Sequence, residues 1–168
     1  MAAQNAEYWI DRLGLIAHPE GGYFKETFRS PEILQEDSLG QGYIGSRNAS
    51  TAIYFLVTAE KPSHFHRLAT DEIWHHYAGD ALELIFIHPN GDLESKWLGK
   101  SDAKGCMPQL IAPAGSWFAG RVASGFALCG CTMAPGFDFA DFELAGRQML
   151  LEAYPAHAEM IDALTSEA

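Results

Sequence analysis

The chain is predicted to fold as one all-β barrel or sandwich, with short helices only at its two ends. Strand-like runs rich in β-branched and aromatic side chains recur between residues 23 and 133, with turn residues between them. Helical spacing of apolar residues is confined to segments near the start and after residue 145. The chain has 168 residues, 48% of them apolar, enough for one domain with its own core and too few for two comfortable ones.

The elements follow in order. Tyr8, Trp9, Leu13 and Ile16 stand at near-helical spacing, so a short amphipathic helix is expected over about residues 4–14, broken around Gly14 and by Pro19. Gly21 and Gly22 mark a turn, and residues 23–28 read as a strand. His18 beside that turn is a candidate cap of the barrel mouth, with a purely structural turn as the equal alternative. Residues 32–48 are polar with three glycines and read as a surface loop. The run 51–58 is rich in β formers, and further strands are expected at 72–77, 82–88, 93–98, 109–112, 116–122 and 126–133. Pro89, Asn90, Gly91 and Asp92 make a hairpin turn. After Pro135 and Gly136 comes a short extended piece. A helix follows over about 146–153, and a second begins at Pro155, whose fixed φ suits a first turn. The expected organisation is a single domain over 1–168, with its barrel over about 20–144 and C-terminal helices over about 145–165.

Composition excludes several roles. The net charge is −11, from 11 basic and 22 acidic residues, which disfavours nucleic acid and membrane surfaces as partners; solubility is the plain reading of the charge. Cys106, Cys129 and Cys131 are odd in number and form no CxxC pair, so neither a disulfide framework nor a zinc ribbon is indicated. The first residues lack the basic and apolar regions of a signal peptide. The longest apolar run, near residues 81–87, contains Glu83 and is too short to cross a bilayer. A cytoplasmic location is the default expectation. No GxSxG, GxGxxG or P-loop pattern occurs.

The chemistry concentrates in residues 63–79. In an extended strand, residues i and i+2 share a face, so His64 and His66 are expected to project together. Glu72 on the next strand would close on them, making a facial metal site with open positions. The same alternation sends Trp74 and His76 to the side of Glu72, and His75 to the other. Trp74, Trp117 and Phe118 are candidate cavity walls, with core packing as the bland account; aromatic faces suit the apolar side of a sugar ring or a planar base. Tyr23, Glu26 and Arg29 offer polar groups to hold such a ligand. Glu26 would serve as an acid or base if buried, and a solvated strand residue is its simpler reading.

The spacing His64-x-His66-x5-Glu72-x6-Gly79 resembles the first motif of the cupin superfamily, with one extra residue before Glu72. The second motif of that superfamily, PxGxxH, is matched by Pro113 and Gly115, while Phe118 stands where the His ligand belongs. The segments around Tyr23, from His66 to His75, from Pro113 to Phe118 and from Ala134 to Leu144 resemble a family of small single-domain cupins without an assigned activity. The resemblance implies a double-stranded β-helix, the cupin jelly-roll barrel, with short flanking α-helices, a small-molecule ligand inside it and a homodimer. The stretch 22–27 is also similar to a segment of deoxysugar-nucleotide epimerases, with Gly21 in place of a phosphate-binding Arg.

Three functions are compatible with this reading. The first is an isomerase or epimerase of a sugar-like polar metabolite, with His64 or His66 as base and Tyr23, Glu26 or Tyr54 as polar partners. The second places a divalent metal (iron, manganese, nickel or zinc) on His64, His66 and Glu72, for an oxygenase or a metal-assisted isomerase. The third is a small-molecule-binding cupin without catalysis.

Overall fold

The computed structural model describes residues 5–40, 42–100 and 105–166. Residue 4, the first of the expected N-terminal helical segment, lies outside them. In chain order the strands are β1 (Ile16–Ala17), β2 (Tyr23–Arg29), β3 (Ile33–Leu34), β4 (Arg47–Asn48), β5 (Thr51–Thr58), β6 (Ser63–Leu68), β7 (Glu72–Gly79), β8 (Leu82–Ile87), β9 (Leu93–Leu98), β10 (Gln109–Ala112), β11 (Trp117–Arg121), β12 (Phe126–Met133) and β13 (Phe142–Leu144). The helices are α1 (Ala6–Leu13), α2 (Arg147–Ala153) and α3 (Ala158–Ala163).

Two antiparallel sheets face each other. One has the order β1-β2-β5-β12-β7-β10 and the other β13-β6-β11-β8-β9. Consecutive strands often lie in opposite sheets, which is the jelly-roll path. The expected loop over 32–48 holds a small hairpin, β3 with β4.

The barrel interior is closed by Phe55, Trp74, Leu82, Leu84, Phe86 and Phe118 from both sheets. Both outer faces are partly covered as well. α1 packs Trp9, Ile10 and Leu13 on Leu56 and Leu128 of the first sheet. This helix forms where Asn5 accepts a hydrogen bond from the Tyr8 N–H, and it stops where Gly14 turns left-handed at φ 65°. α2 and α3 bring Leu150 and Ile161 onto Phe65, Ile85, Ile87 and Trp117 of the second sheet. Each fully buried side chain of this kind contributes about 2 kcal/mol. Pro155 opens a single 3-10 turn that leads into α3.

Three ladders change register, and these bulges decide what faces the interior. On β6, Ser63 pairs with Gly120 and His66 with Phe118, so three steps on one strand oppose two on the other. On β2, Glu26 pairs with Ile53 and Phe28 with Ala52, leaving Thr27 as the extra residue. On β7, Tyr77 is extra between His76 and Ala78. A bulge inverts the alternation beyond it, so residues i and i+3 come to share a face.

Candidate functional site

One end of the barrel encloses a cavity of about 280 Å³ between the sheets. β2 supplies Phe24, Glu26 and Arg29; β5 supplies Thr51, Ile53 and Phe55; β7 supplies Glu72 and Trp74. His66 and Leu68 of β6 and Cys131 and Met133 of β12 complete the wall. His18 and Glu20, from the turn before β2, reach in from one side, and the segment from Phe137 to Phe142 rims the opening.

A polar cluster occupies one wall. The Glu20 carboxyl accepts from the Ser63 hydroxyl at 2.8 Å. Its other oxygen lies 3.3 Å from His18 Nδ1 and 3.4 Å from His66 Nε2. His66 Nδ1 is 2.8 Å from the carbonyl of His64. A carbonyl only accepts, so Nδ1 carries the proton and Nε2 turns its lone pair toward Glu20. His18 Nδ1 accepts from the Glu20 backbone N–H at 3.3 Å, which leaves that nitrogen an acceptor too. Two acceptor nitrogens face one carboxyl oxygen, an arrangement that favours a proton on that carboxyl, donated to one of them at a time.

Burial drives the same assignment. Glu20 is raised well above the carboxylate range by desolvation and then by the charge of Glu72, against the Ser63 hydrogen bond. Burial pushes His18 down to about 4 and His66 to about 3. Glu72 is raised to about 7 by burial, although the Trp74 indole N–H, at 2.7 Å, and the Cys131 thiol both donate to it. Cys131 is pushed well up, by burial first, and is a poor nucleophile.

The remaining walls are aromatic. His66 lies on Phe118 with ring centroids 4.1 Å apart, and Phe55 meets Trp74 edge-on at 5.4 Å. Phe137, Phe139 and Phe142 pack on one another at the mouth. There Glu26 takes a two-pronged ion pair from Arg29, at 3.0 and 2.7 Å, and Arg29 also donates to Asn48 and to the Phe137 carbonyl.

The structure departs from several expectations. His64 and His66 do not share a face: the β6 bulge sends His66 inward, while His64 lies outside the cavity lining, near Gly21 and within the field of Arg147. Tyr23 and Tyr54 pack on the outer face of the first sheet beneath α1, so neither reaches the interior. Trp117 also faces outward, under α2 and α3, with Arg67 stacked on it. Phe118 is inward but lies beneath His66 and outside the cavity lining. His76 is on the inner side with Glu72 and Trp74, yet its Nε2 binds the Asp80 carbonyl at 2.9 Å and it too lies outside the lining. Trp74, Glu72, Glu26 and Arg29 line the cavity, the last two as an ion pair at its mouth.

Glu20 carries the centre of the cluster and was not singled out by motif spacing. Its signal in the sequence is slight: a carboxylate two residues after His18 and before paired glycines. Gly21, at φ 108°, lets that turn press against the carbonyl of Pro62 at the start of β6, where any Cβ would collide.

Two facing antiparallel sheets with an interior cavity at one end define a jelly-roll barrel. Residues 7–145 match the cupin superfamily (DUF985), and the chain belongs to that family. An uncharacterised protein of Saccharomyces cerevisiae is 34% identical over 144 residues, which are 79% of this chain and 71% of that one. A hypothetical protein from Leishmania major has a structure with TM-score 0.87 at 37% identity, covering 97% of this chain and 99% of the other. A Shewanella oneidensis protein matches with TM-score 0.88 at 37% identity, over 98% and 99% of the two chains. Oxalate decarboxylase of Bacillus subtilis shares the fold alone, with TM-score 0.54 at 12% identity, the match spanning 38% of its length.

The superfamily's metal centre is a poor fit to these residues. His64 is outside the cavity, and Phe118, which stands where the motif resemblance puts a fourth ligand, packs against His66. Glu72 is held by Trp74 and Cys131. Among the described residues, no group of three His, Cys, Asp or Glu side chains is placed to hold a metal ion; His18 and His66 instead meet on a Glu20 oxygen.

Proposed function

We propose that the barrel binds a small polar metabolite and moves a proton on it, as an isomerase or epimerase of a sugar-like substrate does. The observation that carries this reading is the placement of three buried protonatable groups, Glu20, His66 and Glu72, on the wall of an otherwise aromatic cavity. Such groups are costly to bury and are retained where their protons are used. The faces of Phe55 and Trp74 would pack against the apolar side of the substrate.

In this reading Glu72, with its carboxyl near neutrality, takes the proton from a carbon beside a carbonyl. Glu20, kept protonated by burial, donates to the developing oxyanion, and His66 holds the Glu20 proton in place between turnovers. The proton then returns to the neighbouring carbon or to the other face. Positioned acid and base groups of this kind contribute about 10²–10⁴-fold each.

The test is solvent-deuterium incorporation. Ketoses, aldoses and other α-hydroxycarbonyl compounds are incubated with the protein in D₂O and followed by NMR. At least one should exchange its α-proton, and Glu72→Gln should slow that exchange by about 100-fold or more. A compound that binds in the cavity but never exchanges would sink the catalytic reading and leave a binding cupin.

A further inference from the structure

The charges around the cavity are one-sided. The carboxyls of Glu20 and Glu72 lie on its wall, and those of Glu26 and Asp138 lie at its mouth. Arg29 is the sole Lys or Arg among the described lining residues, and its guanidinium is committed to Glu26, Asn48 and the Phe137 carbonyl. The two lining histidines add no positive charge at neutral pH, since burial keeps both uncharged. Glu20 holds its proton and Glu26 is paired with Arg29, so the carboxyls left to meet an entering ligand are Glu72 on the wall and Asp138 at the mouth, the latter within the field of Arg29. An anionic ligand beside them would find no uncommitted cation, a penalty that selects against it.

The same space is walled by ring faces. Trp74 and Phe55 stand deep in the cavity, while Phe137, Phe139 and Phe142 frame its opening. Aromatic faces attract a cation through the ring quadrupole, and more strongly where water is excluded. Inorganic cations prefer convergent oxygen ligands, whereas an alkylated or ring-borne ammonium suits rings with carboxylates between them. The whole chain carries −11 and so raises the local concentration of cations at its surface.

We propose that the ligand of this cavity carries a positively charged nitrogen, its ammonium group seated between the aromatic faces and the carboxyls of Glu72 and Asp138. The inference rests on the reading of the cavity as the ligand site and narrows the class of molecule that enters it.

Calorimetric titration of the full chain with three molecules of one shape tests this. They are choline, its neutral isostere 3,3-dimethylbutanol, and the anion 3,3-dimethylbutanoate. Choline should bind about tenfold or more tightly than the alcohol, and the carboxylate should not bind. Nuclear Overhauser contacts from the choline methyl protons should reach aromatic ring protons of the protein. Asp138→Asn should reduce the preference for choline over the alcohol by about threefold or more and leave the alcohol's affinity unchanged, and Glu72→Gln should reduce the same preference. Asp138 is exposed and caps the Ala140 N–H, a role Asn also fills, so that variant folds even where Glu72→Gln does not. If the alcohol or the carboxylate binds as well as choline, or the preference survives both substitutions, the cationic class is overturned and the ligand cavity stands. If none of the three binds, the cationic class is overturned, and the reading of the cavity as a ligand site falls with it only where the carbonyl compounds of the exchange assay also fail to bind.

Discussion

His64 and His66 are neighbours on one strand and do different work. His66 packs on Phe118 and turns a lone pair to Glu20, while His64 contributes its backbone carbonyl to hold the His66 ring. Side-chain removal should separate them. His66→Ala leaves the buried Glu20 short of a partner, at a cost of about 1–3 kcal/mol, and should abolish proton exchange on any substrate found. His64→Ala keeps the carbonyl and should leave exchange within about twofold of the parent. Urea denaturation and the deuterium assay, run on both variants, read the two effects; a more damaging His64→Ala would contradict the inward placement of His66 alone. The identity of the inward aromatic was half-readable. Trp117 and Phe118 are adjacent and so face opposite ways, but both faces of β11 are apolar because α2 and α3 bury the outer one. Hydrophobicity alone could not say which ring went in.

At the level of elements, the cavity depends on where two loops are anchored. β4 and the segment that rims the opening are joined by Arg47 and Asp141, a two-pronged pair at 2.7 and 2.6 Å with both side chains 4% exposed. Arg47 also donates to the carbonyls of Ile44, Gly45 and Ser46. Asp141→Ala strands a buried guanidinium and should cost about 3–5 kcal/mol, measured as a fall in the urea midpoint. Replacing both partners by apolar residues should cost much less; equal losses in the two variants would place the energy elsewhere. The residues of this pair lie 94 positions apart, and nothing in their local sequence announces it. The strands themselves were far more legible. β5, β9, β10 and β12 fall where composition and turn residues put them, because strand formation there follows local alternation and the adjoining Gly and Pro.

For the whole molecule, the buried cluster sets a pH dependence with two opposing limbs. Glu72 has a folded value of about 7 against an ordinary 4.5, so its contribution is complete below about pH 4.5 and is lost as pH rises through 7. Glu20, also raised, acts in the same direction. His18 and His66 have folded values of about 4 and 3 against 6.5, so their contribution is present above pH 6.5 and is lost as pH falls through 4 and 3. Stability should therefore fall on both sides of a mildly acidic range. Glu72→Gln stays neutral throughout and should flatten the limb between pH 5 and pH 8 by on the order of 3 kcal/mol. Urea unfolding of the parent and the variant at several pH values across that range checks it, and parallel curves would show that Glu72 is not the titrating group.

Most barrel strands and the terminal helices follow from local alternation and turn chemistry, and the cupin resemblance rests on motif residues, all of which act over a few residues, whereas the β3–β4 hairpin did not show in the polar run 32–48. The motif resemblance also puts Phe118 where the superfamily pattern has a His. Tertiary structure decided which side chains meet. A bulge belongs to a pair of strands and not to either one, so the inward turn of His66 without His64 is invisible along β6 alone. Glu20 reaches Ser63 across 43 positions only because the glycine turn docks on the neighbouring strand. Tyr23 and Tyr54 face away because α1 buries an outer surface that alternation leaves indistinguishable from the inner one. The candidate site is thus a product of register and long-range docking, and those are settled only when both sheets are in place.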